Sequence, residues 1–288
     1  MKQTKQNIVT KYKLSNLIID NSSIGWITPF AFSRLEKCQN LFSRVGNNIE
    51  ITFKRNSFGQ LSKKINDCLY NIYLKDETGF GTWCNEKACV SDAVNEQVYF
   101  HVERAATGFL GLKTTGVHLN GFKIKNKDVK LIIAKRSGLI NSYPGLLDTM
   151  VAGFLPVNCS PKEKIFEEAH EEAGIDQVSL EKIKFVSFVN FVEADEFNCK
   201  RGTVIIYDLP LQKLFSPKNN DGEVAEFISM NLNKVYELAN STKYFKFDSR
   251  LVALDFLLRK GFFEINSNKV LEDLRIIRQD IDGLIYSS

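Results

Sequence analysis

Residues 166–175 of the chain are FEEAHEEAGI, a stretch that places four glutamates within six positions. It follows Ser160-Pro161-Lys162-Glu163, in which a serine suited to cap a helix precedes a proline at the first helical position and a glutamate three residues after the cap. Gly174 is the residue type that helices favour just past their last turn. These signals predict one helix that begins after Ser160 and ends before Gly174.

The predicted helix has two distinct faces. At about 100° per residue, four apolar side chains share an arc that should face a sheet: Ile165, Phe166, Ala169 and Ala173. Glu168, Glu171 and Glu172 lie at i, i+3 and i+4 on another face, where each like-charged pair costs an isolated helix roughly 0.2–0.5 kcal/mol. A divalent cation such as Mg²⁺ or Mn²⁺ would remove that penalty. A solvated acidic face is the alternative interpretation.

The segments on either side of this helix alternate between strand and helix patterns. Two strands around the polar turn KNKD precede it (116–124 and 129–137), and strands at 183–193, 202–211 and 221–231 follow it. Helices are predicted at 232–240, at 248–261 with Asp248 as the N-cap, and at 268–285. The first hundred residues are mixed α and β, with a helix from about Pro29 to Phe42 and no catalytic constellation. The pattern predicts an α/β fold with a mixed sheet (111–288), preceded by a smaller α+β N-terminal domain (1–110).

Composition excludes several classes of function. A net charge of +4 in interrupted basic runs argues against a nucleic-acid partner. The six cysteines form no C-x-x-C pair, which argues against a zinc site, and a disulfide framework is not expected in a chain this long. The first twenty residues have no apolar core of a secretory signal, and no apolar run reaches membrane-spanning length. We therefore expect a soluble, cytoplasmic protein with reduced cysteines; the oligomeric state stays open.

The spacing around the acidic helix resembles the Nudix box, a loop–helix–loop of the form Gly, five residues, Glu, seven residues, Arg-Glu-apolar-any-Glu-Glu-any-Gly-apolar. The positions that match are Gly153, Glu168, Ala169, Glu171, Glu172, Gly174 and Ile175. Two positions differ: Cys159 stands in place of the first Glu, and Glu167 stands in place of the Arg. In the family that arginine helps to hold the metal-binding glutamate, so its loss puts the rate in doubt.

The resemblance extends beyond the box. YPGLLDTMVAGFLPVNCSPKEKIFEEAHEEAGI (143–175) is similar to the thiamin pyrophosphokinase-related Nudix proteins of fungi, plants and some bacteria, which also lack the first box glutamate. Further similarity covers most of residues 25–265. It implies a Nudix α/β/α sandwich after a smaller domain, and hydrolysis of damaged (oxo or oxy) thiamin diphosphates to the monophosphate. Phe154 replaces a second glycine of the loop, which would narrow the approach of the backbone to a phosphate.

The resemblance also implies a set of site residues. Glu168, Glu171 and Glu172 would hold Mg²⁺ or Mn²⁺ together with a backbone carbonyl at Gly153, and Glu171 or Glu172 would also act as base. A further carboxylate would come from Glu223 or Glu226, although the sequence favours a turn and a charge at the sheet edge as the explanation of these two residues. Four more residues are candidates for substrate binding, each with a structural role as the alternative: His118, Lys135, Arg136 and Tyr143.

Three alternatives to the thiamin-related hydrolase remain at this point. A kinase is disfavoured because the chain has no Gly-x-x-x-x-Gly-Lys-[Ser/Thr] loop. A Nudix hydrolase of a nucleoside diphosphate derivative would use the same carboxylates. A Nudix-fold binding module without turnover would be consistent with the departures at Cys159 and Glu167. In each case the expected partner is a small-molecule diphosphate.

Overall fold

The computed structural model of the chain describes residues 5–38, 41–52, 58–91 and 97–263. The first part of the chain contains α1 (Lys5–Tyr12), β1 (Ser15–Ile19), β2 (Ser22–Ile27), α2 (Pro29–Leu35), β3 (Phe42–Val45), β4 (Asn48–Ile51), α3 (Phe58–Tyr73), β5 (Lys87–Ser91), β6 (Val98–Glu103) and a 3-10 turn (Arg104–Ala106). The second contains β7 (Lys113–Lys125), β8 (Asp128–Arg136), β9 (Leu147–Thr149), β10 (Val151–Phe154), α4 (Pro161–Ala173), α5 (Gln177–Leu180), β11 (Lys184–Ala194), β12 (Cys199–Pro210), β13 (Val224–Asn231), α6 (Leu232–Ala239) and α7 (Phe247–Arg259).

The strands form three sheets. A four-stranded sheet has the order β2-β1-β4-β3, and β5 pairs with β6. The large sheet has seven strands, with the order β11-β12-β7-β8-β13 and with β10 paired to β7 and β9 paired to β8. Its β12–β7 pair is parallel and its other pairs are antiparallel. The predicted mixed sheet is therefore confirmed.

Helices cover both faces of the large sheet. One face packs against α4 through every second residue of its strands, among them Val117, Leu119, Ile132, Tyr207 and Leu209. The intervening residues of the same strands point to the opposite face and pack against α6 and α7, among them Phe122, Leu131, Ile133, Val204 and Ile206. This alternation is what a sheet buried on both sides requires. The α/β/α sandwich is confirmed.

A separate apolar cluster, which runs from Leu17 to Leu112, fills the smaller α+β region. Its sheet packs against α2 and α3 through residues such as Ile27, Leu35, Leu61 and Ile65. The clusters of the large sheet begin at Val117. The domain boundary at 110/111 stays a prediction.

The acidic helix α4 begins and ends as its sequence predicts. The Ser160 hydroxyl accepts the Glu163 N–H (3.2 Å), and the Glu163 carboxylate accepts the Ser160 N–H (2.9 Å), so both halves of a capping box are present. Gly174 adopts φ 62°, the left-handed conformation that glycine accommodates best. The predicted apolar face is also confirmed, since Ile165, Ala169 and Ala173 are fully buried.

Some predictions about elements are wrong. The helix that starts at Pro29 ends at Leu35, because Phe42 already pairs with Ile51 in a strand. The N-cap of α7 is Lys246, and Asp248 lies in the first turn. The predicted helix at 268–285 lies outside the described residues.

The cysteines also differ from expectation at one pair. Cys38, just after α2, and Cys68, on α3, form a disulfide with their Cα atoms 6.1 Å apart. The other four cysteines are free. Among the described residues, no helix is long and apolar enough to cross a membrane.

Candidate active site

A cleft of about 350 Å³ lies where the smaller region meets the large sheet. From the large sheet and its connections, its lining includes His118, Arg136, Tyr143, Ala152, Gly153, Phe154, Glu168, Glu172, Glu223, Lys246 and Asp248. From the smaller region it includes Gly79, Gly81, Thr82, Arg104, Ala105, Thr107 and Gly108. The cleft therefore brings together most of the predicted site residues with a surface that the sequence did not indicate.

Glu168 lies directly against strand β10. A Cβ atom at Gly153 would stand 2.5 Å from Cγ of Glu168 and 2.6 Å from its Oε1, far inside contact distance. Only glycine leaves room for this approach of the side chain to the backbone. A glycine at position 153 thus has a steric reason in this chain, because it leaves the space that the Glu168 carboxylate occupies.

Glu172 is the most buried carboxylate of the acidic helix. It is 6% exposed, and its Oε2 accepts the N–H of Ala152 at 2.9 Å. Burial, together with the charge of Glu168, raises the pKa of Glu172 well above its usual range, and Asp148 and Glu223 add to this effect. A cation beside this side chain would relieve both the desolvation and the repulsion.

Glu171 takes a different position from the other two glutamates. It is exposed and is not among the residues that line the cleft. Burial raises the pKa of Glu168, and the charge of Glu171 contributes in the same direction, so the two side chains are electrostatically close. Its predicted role as a ligand stays a prediction.

The donor set of the cleft fits a hard divalent cation in its chemistry. Within the described ranges, no three His, Cys, Asp or Glu side chains are close enough to form a complete metal cluster. Mg²⁺, however, commonly uses one or two carboxylates and completes its shell with water and substrate phosphate. Glu168 and Glu172, with backbone oxygen at Gly153, supply that kind of incomplete oxygen site.

The two further acidic candidates are separated by the structure. Glu223 lines the cleft, and its charge contributes to the raised pKa of Glu172. Glu226 is half exposed and lies 3.3 Å from the ammonium of Lys135, away from the cleft lining. The structure therefore brings Glu223 to the site and leaves Glu226 and Lys135 at the surface.

A group of buried charged residues lines another part of the cleft. Arg136 Nη1 lies 3.0 Å from Asp148 Oδ2, and Lys246 Nζ lies 3.1 Å from Asp248 and 3.7 Å from Asp148. Although burial opposes its ionisation, Lys246 and the other nearby cations hold the pKa of Asp148 below its usual range. His118 joins this group at 3.8 Å from Asp248.

Sequence reasoning missed three members of this group: Asp148, Lys246 and Asp248. Asp148 lies on β9, whereas Lys246 and Asp248 lie at the start of α7, far from β9 along the chain. No local spacing could have brought them together. The only signal was the charge within the apolar approach to the box, where Asp148 stands two residues before Met150.

His118 and Tyr143 both line the cleft but are already held by protein partners. His118 Nδ1 is 2.9 Å from the Thr149 hydroxyl, and burial lowers the pKa of its imidazole. Tyr143 donates to Glu193 at 2.5 Å and accepts from Lys200 at 2.9 Å. Its φ of 52° is uncommon for an aromatic residue.

Comparison with known proteins finds similarities in both parts of the chain. Residues 1–114 match a domain of unknown function, DUF4743. The chain is 38% identical over 188 residues to Nudix hydrolase 20, chloroplastic, of Arabidopsis thaliana, which covers 65% of this chain and 50% of the plant protein. It is 31% identical over 265 residues to an uncharacterized protein of Saccharomyces cerevisiae, which covers 84% of this chain and 76% of the yeast protein. Over about two thirds of its length, the chain is similar to plant proteins named as Nudix hydrolases.

A second plant relative is Nudix hydrolase 24, chloroplastic, of Arabidopsis thaliana, with 36% identity over 194 residues that cover 67% of this chain and 53% of that protein. The chain thus spans about half the length of the two plant Nudix hydrolases that it matches. Both names place those relatives in the chloroplast, so they give no support to the predicted cytoplasmic location.

The Nudix box of this chain replaces its missing arginine from within the same helix. Glu167, at the arginine position, is exposed and lies 3.3 Å from Lys164. The buried ammonium of Lys164 is also 2.8 Å from Glu168 Oε1, one helical turn away. Although burial opposes its charge, its hydrogen bond to Glu168 raises the pKa of Lys164. Lys164 was missed, although its i,i+4 spacing from Glu168 was a visible signal.

Cys159, at the position of the first box glutamate, shows no sign of nucleophilic activation. Its thiol is 3.6 Å from the carbonyl of Ser160, a weak contact. Burial and the charges of Glu163 and Glu167 raise the pKa of Cys159, which disfavours the reactive thiolate. Cys159 therefore does not supply the negative charge of the glutamate that it replaces.

Proposed function

We propose that this chain is a Nudix hydrolase that cleaves a diphosphate bond with the help of Mg²⁺ or Mn²⁺. The observation that carries the proposal is the pair Glu168 and Glu172, both at the cleft, of which Glu172 is buried with a strongly raised pKa. A buried carboxylate such as Glu172, close to a second carboxylate, is costly to ionise unless a cation lies beside it. We infer that Glu168, Glu172 and backbone oxygen at Gly153 hold the metal, with Glu171 as a further ligand.

The reaction proposed is the attack of water on the terminal phosphorus. The new P–O bond forms as the bond to the bridging oxygen breaks, and the products are a monophosphate and phosphate. When bound, the metal neutralises phosphate oxygens and lowers the pKa of its bound water. Glu172 or Glu171 would take the proton of the attacking water. At the same cleft, Arg136 would contact a phosphate, and Glu223 would supply a further carboxylate for the metal.

We propose thiamin diphosphate, or its oxo and oxy analogues, as the substrate. Support comes from the resemblance of residues 143–175 to the thiamin pyrophosphokinase-related Nudix proteins. The cleft volume of about 350 Å³ lies within the range of sites for small organic ligands.

The experiment is a measurement of phosphate release from oxythiamin diphosphate, thiamin diphosphate, ADP-ribose and nucleotides, with and without Mg²⁺. We expect the thiamin compounds to be preferred, and Glu172→Gln to lower kcat by at least ~100-fold, the scale of losing a group that acts in the transition state. Glu226→Gln is the control, because Glu226 is half exposed and outside the cleft. A preference for nucleotides would replace the thiamin substrate. Turnover of none of the compounds would favour a binding module.

A further inference from the structure

The smaller region contributes its own surface to the cleft. Two segments, 79–82 and 104–108, supply this part of the lining, which we call the glycine wall: Gly79, Gly81, Thr82, Arg104, Ala105, Thr107 and Gly108. The wall belongs to the part of the chain that matches a domain of unknown function, residues 1–114. It lies in the same cleft as Glu168 and Glu172, which act on the diphosphate in the function proposed above.

Hydrogen bonds hold the two segments of the glycine wall together. The N–H of Gly81 donates to the carbonyl of Ala105 at 2.8 Å, and the hydroxyl of Thr107 donates to the carbonyl of Arg104 at 2.8 Å. The N–H of Cys199, on β12, donates to the carbonyl of Gly108 at 2.9 Å. The wall is therefore attached to the large sheet as well as to its own region.

A buried arginine sets the position of the wall relative to the sheet. Arg201, on β12, is 3% exposed; its Nε donates to the carbonyl of Gly111 at 2.8 Å and its Nη2 to that of Ile24 at 3.1 Å. Its guanidinium lies 4.5 Å from the ring centre of Trp26. The contacts of Arg201 thus hold the smaller region, and the wall with it, against β12.

The chemistry of the wall suits a planar ring. The Cβ position of Gly81 has only Ala105 within 4 Å, so a flat ring can lie against this part of the wall without meeting a long side chain. The hydroxyls of Thr82 and Thr107 can hydrogen-bond to ring heteroatoms. Arg104 is the one charged residue of the wall; it is 2.8 Å from Glu86, and its guanidinium lies 5.6 Å from the ring centre of Phe154. Phe154 directly follows Gly153, so this cation and ring adjoin the proposed metal site.

We propose that the glycine wall binds the ring-bearing end of the substrate, a planar heteroaromatic group, while Glu168 and Glu172 act on the diphosphate. The proposal rests on the proposed function for the other end of the same cleft. It gives residues 1–114 a role in selecting the substrate. Phe154 packs against the apolar cluster of the smaller region. This contact places the end of β10, beside the proposed metal site, next to the region that carries the wall.

The test adds a large side chain to the surface of the glycine wall and leaves the packing beneath it unchanged. A Cβ atom at Gly81 would meet only Ala105, at 3.5 Å or more, which is an ordinary contact. Gly81→Leu should therefore fold, and thermal melting checks that it does. Gly59→Leu is the matched control, since Gly59 is exposed on α3 with no atom within 4 Å of its Cβ position. The smaller Gly81→Ala provides a second variant.

Calorimetry with oxythiamin monophosphate and with adenosine monophosphate, in EDTA, measures ring binding apart from catalysis. We expect the native chain to bind one of them, Gly81→Leu to bind it at least ~10-fold more weakly, Gly81→Ala to show a smaller loss, and Gly59→Leu to show none. No binding by the native chain, or equal binding by Gly81→Leu, would overturn the proposal.

Turnover separates this proposal from the proposed function. If the native chain hydrolyses a diphosphate and Gly81→Leu leaves its KM unchanged, the wall proposal alone fails. If the native chain binds the monophosphate through the wall but hydrolyses no diphosphate, the proposed function alone fails. Where both hold, Gly81→Leu raises KM at least ~10-fold with little change in kcat, as loss of ground-state binding requires.

Discussion

The buried position of Glu172 affects how the folding stability of the chain depends on pH. Burial and the charge of Glu168 raise its pKa above 4.5, the ordinary value for glutamate. The folded state therefore binds this proton more tightly than the unfolded state does. The stability that the protonated carboxyl contributes is complete below the unfolded pKa, and it is lost as the pH rises through the raised folded pKa.

We predict that Glu172→Gln stabilises the metal-free protein at neutral pH. The uncharged amide keeps an oxygen for the Ala152 N–H and removes the buried charge. The expected gain is a Tm higher by roughly 2–4 °C, the shift that about 1 kcal/mol produces at this chain length. Melting in EDTA from pH 4.5 to 8 measures it: the native chain should lose stability with rising pH relative to the variant. Parallel profiles of the two proteins would contradict the assignment of the buried charge.

At this scale the sequence predicted the residues whose positions depend on local geometry. Gly153 lies on β10, and Glu168 and Glu172 lie on α4, the next element along the chain, so their spacing indicates that they come together. Glu171 shows the limit of that reasoning, because helical spacing alone does not say which side of α4 meets the cleft. That depends on how α4 packs against β10 and on the turn at Glu223, both of which are tertiary contacts.

At the scale of elements, α4 carries both the carboxylates and the cation that positions one of them. Lys164 is buried, unlike most lysines, with its Nζ 2.8 Å from Glu168. This contact holds the carboxylate of Glu168 next to Gly153. The helix thereby compensates for Glu167 at the arginine position of the Nudix box.

We predict that Lys164→Met lowers kcat by about 10-fold or more, because Glu168 loses the partner that orients it. Lys164→Arg should restore most of the rate, since its guanidinium can bind the same carboxylate. Lys162→Met is the control, because Lys162 is exposed on the same helix. Phosphate release under saturating substrate measures the effect. If Arg fails to restore the rate that Met removes, Lys164 contributes packing alone.

Elements were predictable where their start and end signals are local, and less so where tertiary contacts decide. The capping box of Ser160 and Glu163 set the start of α4 correctly. The helix from Pro29 was predicted too long, since Leu41 and Phe42 have helical spacing but join the core through β3. Asp248 resembles an N-cap, yet its carboxylate pairs with Lys246, and the N-cap lies two residues earlier, at Lys246.

At the scale of the whole molecule, the two regions are joined by contacts that no sequence pattern predicted. Arg201 lies within a β-rich run and looks like an ordinary strand residue, but it donates to carbonyls 90 and 177 residues away. Cys38 and Cys68 are joined within the smaller region across 30 residues. Both are pairings between segments that only the folded chain brings together.

We predict that Arg201→Met uncouples the unfolding of the smaller region from that of the large sheet. The variant removes the guanidinium donor from the buried carbonyls of Gly111, which keeps the Trp26 N–H, and of Ile24, at a cost of about 2–3 kcal/mol. Both tryptophans, Trp26 and Trp83, lie in the smaller region, so their fluorescence reports on it, whereas far-UV circular dichroism reports on the whole chain. In urea, the fluorescence transition of the variant should precede the circular dichroism transition, while those of the native chain coincide.

Arg250→Met is the matched control for this prediction. Arg250 is also buried, and its Nε donates to the carbonyl of Ala239, but both residues belong to the helices that cover the large sheet. Its loss should lower stability by a similar amount without separating the two transitions. Coincident transitions in Arg201→Met would mean that the remaining contacts between the regions suffice to couple them. Separated transitions would show that one buried guanidinium makes the two regions unfold as one, and with them the two walls of the cleft.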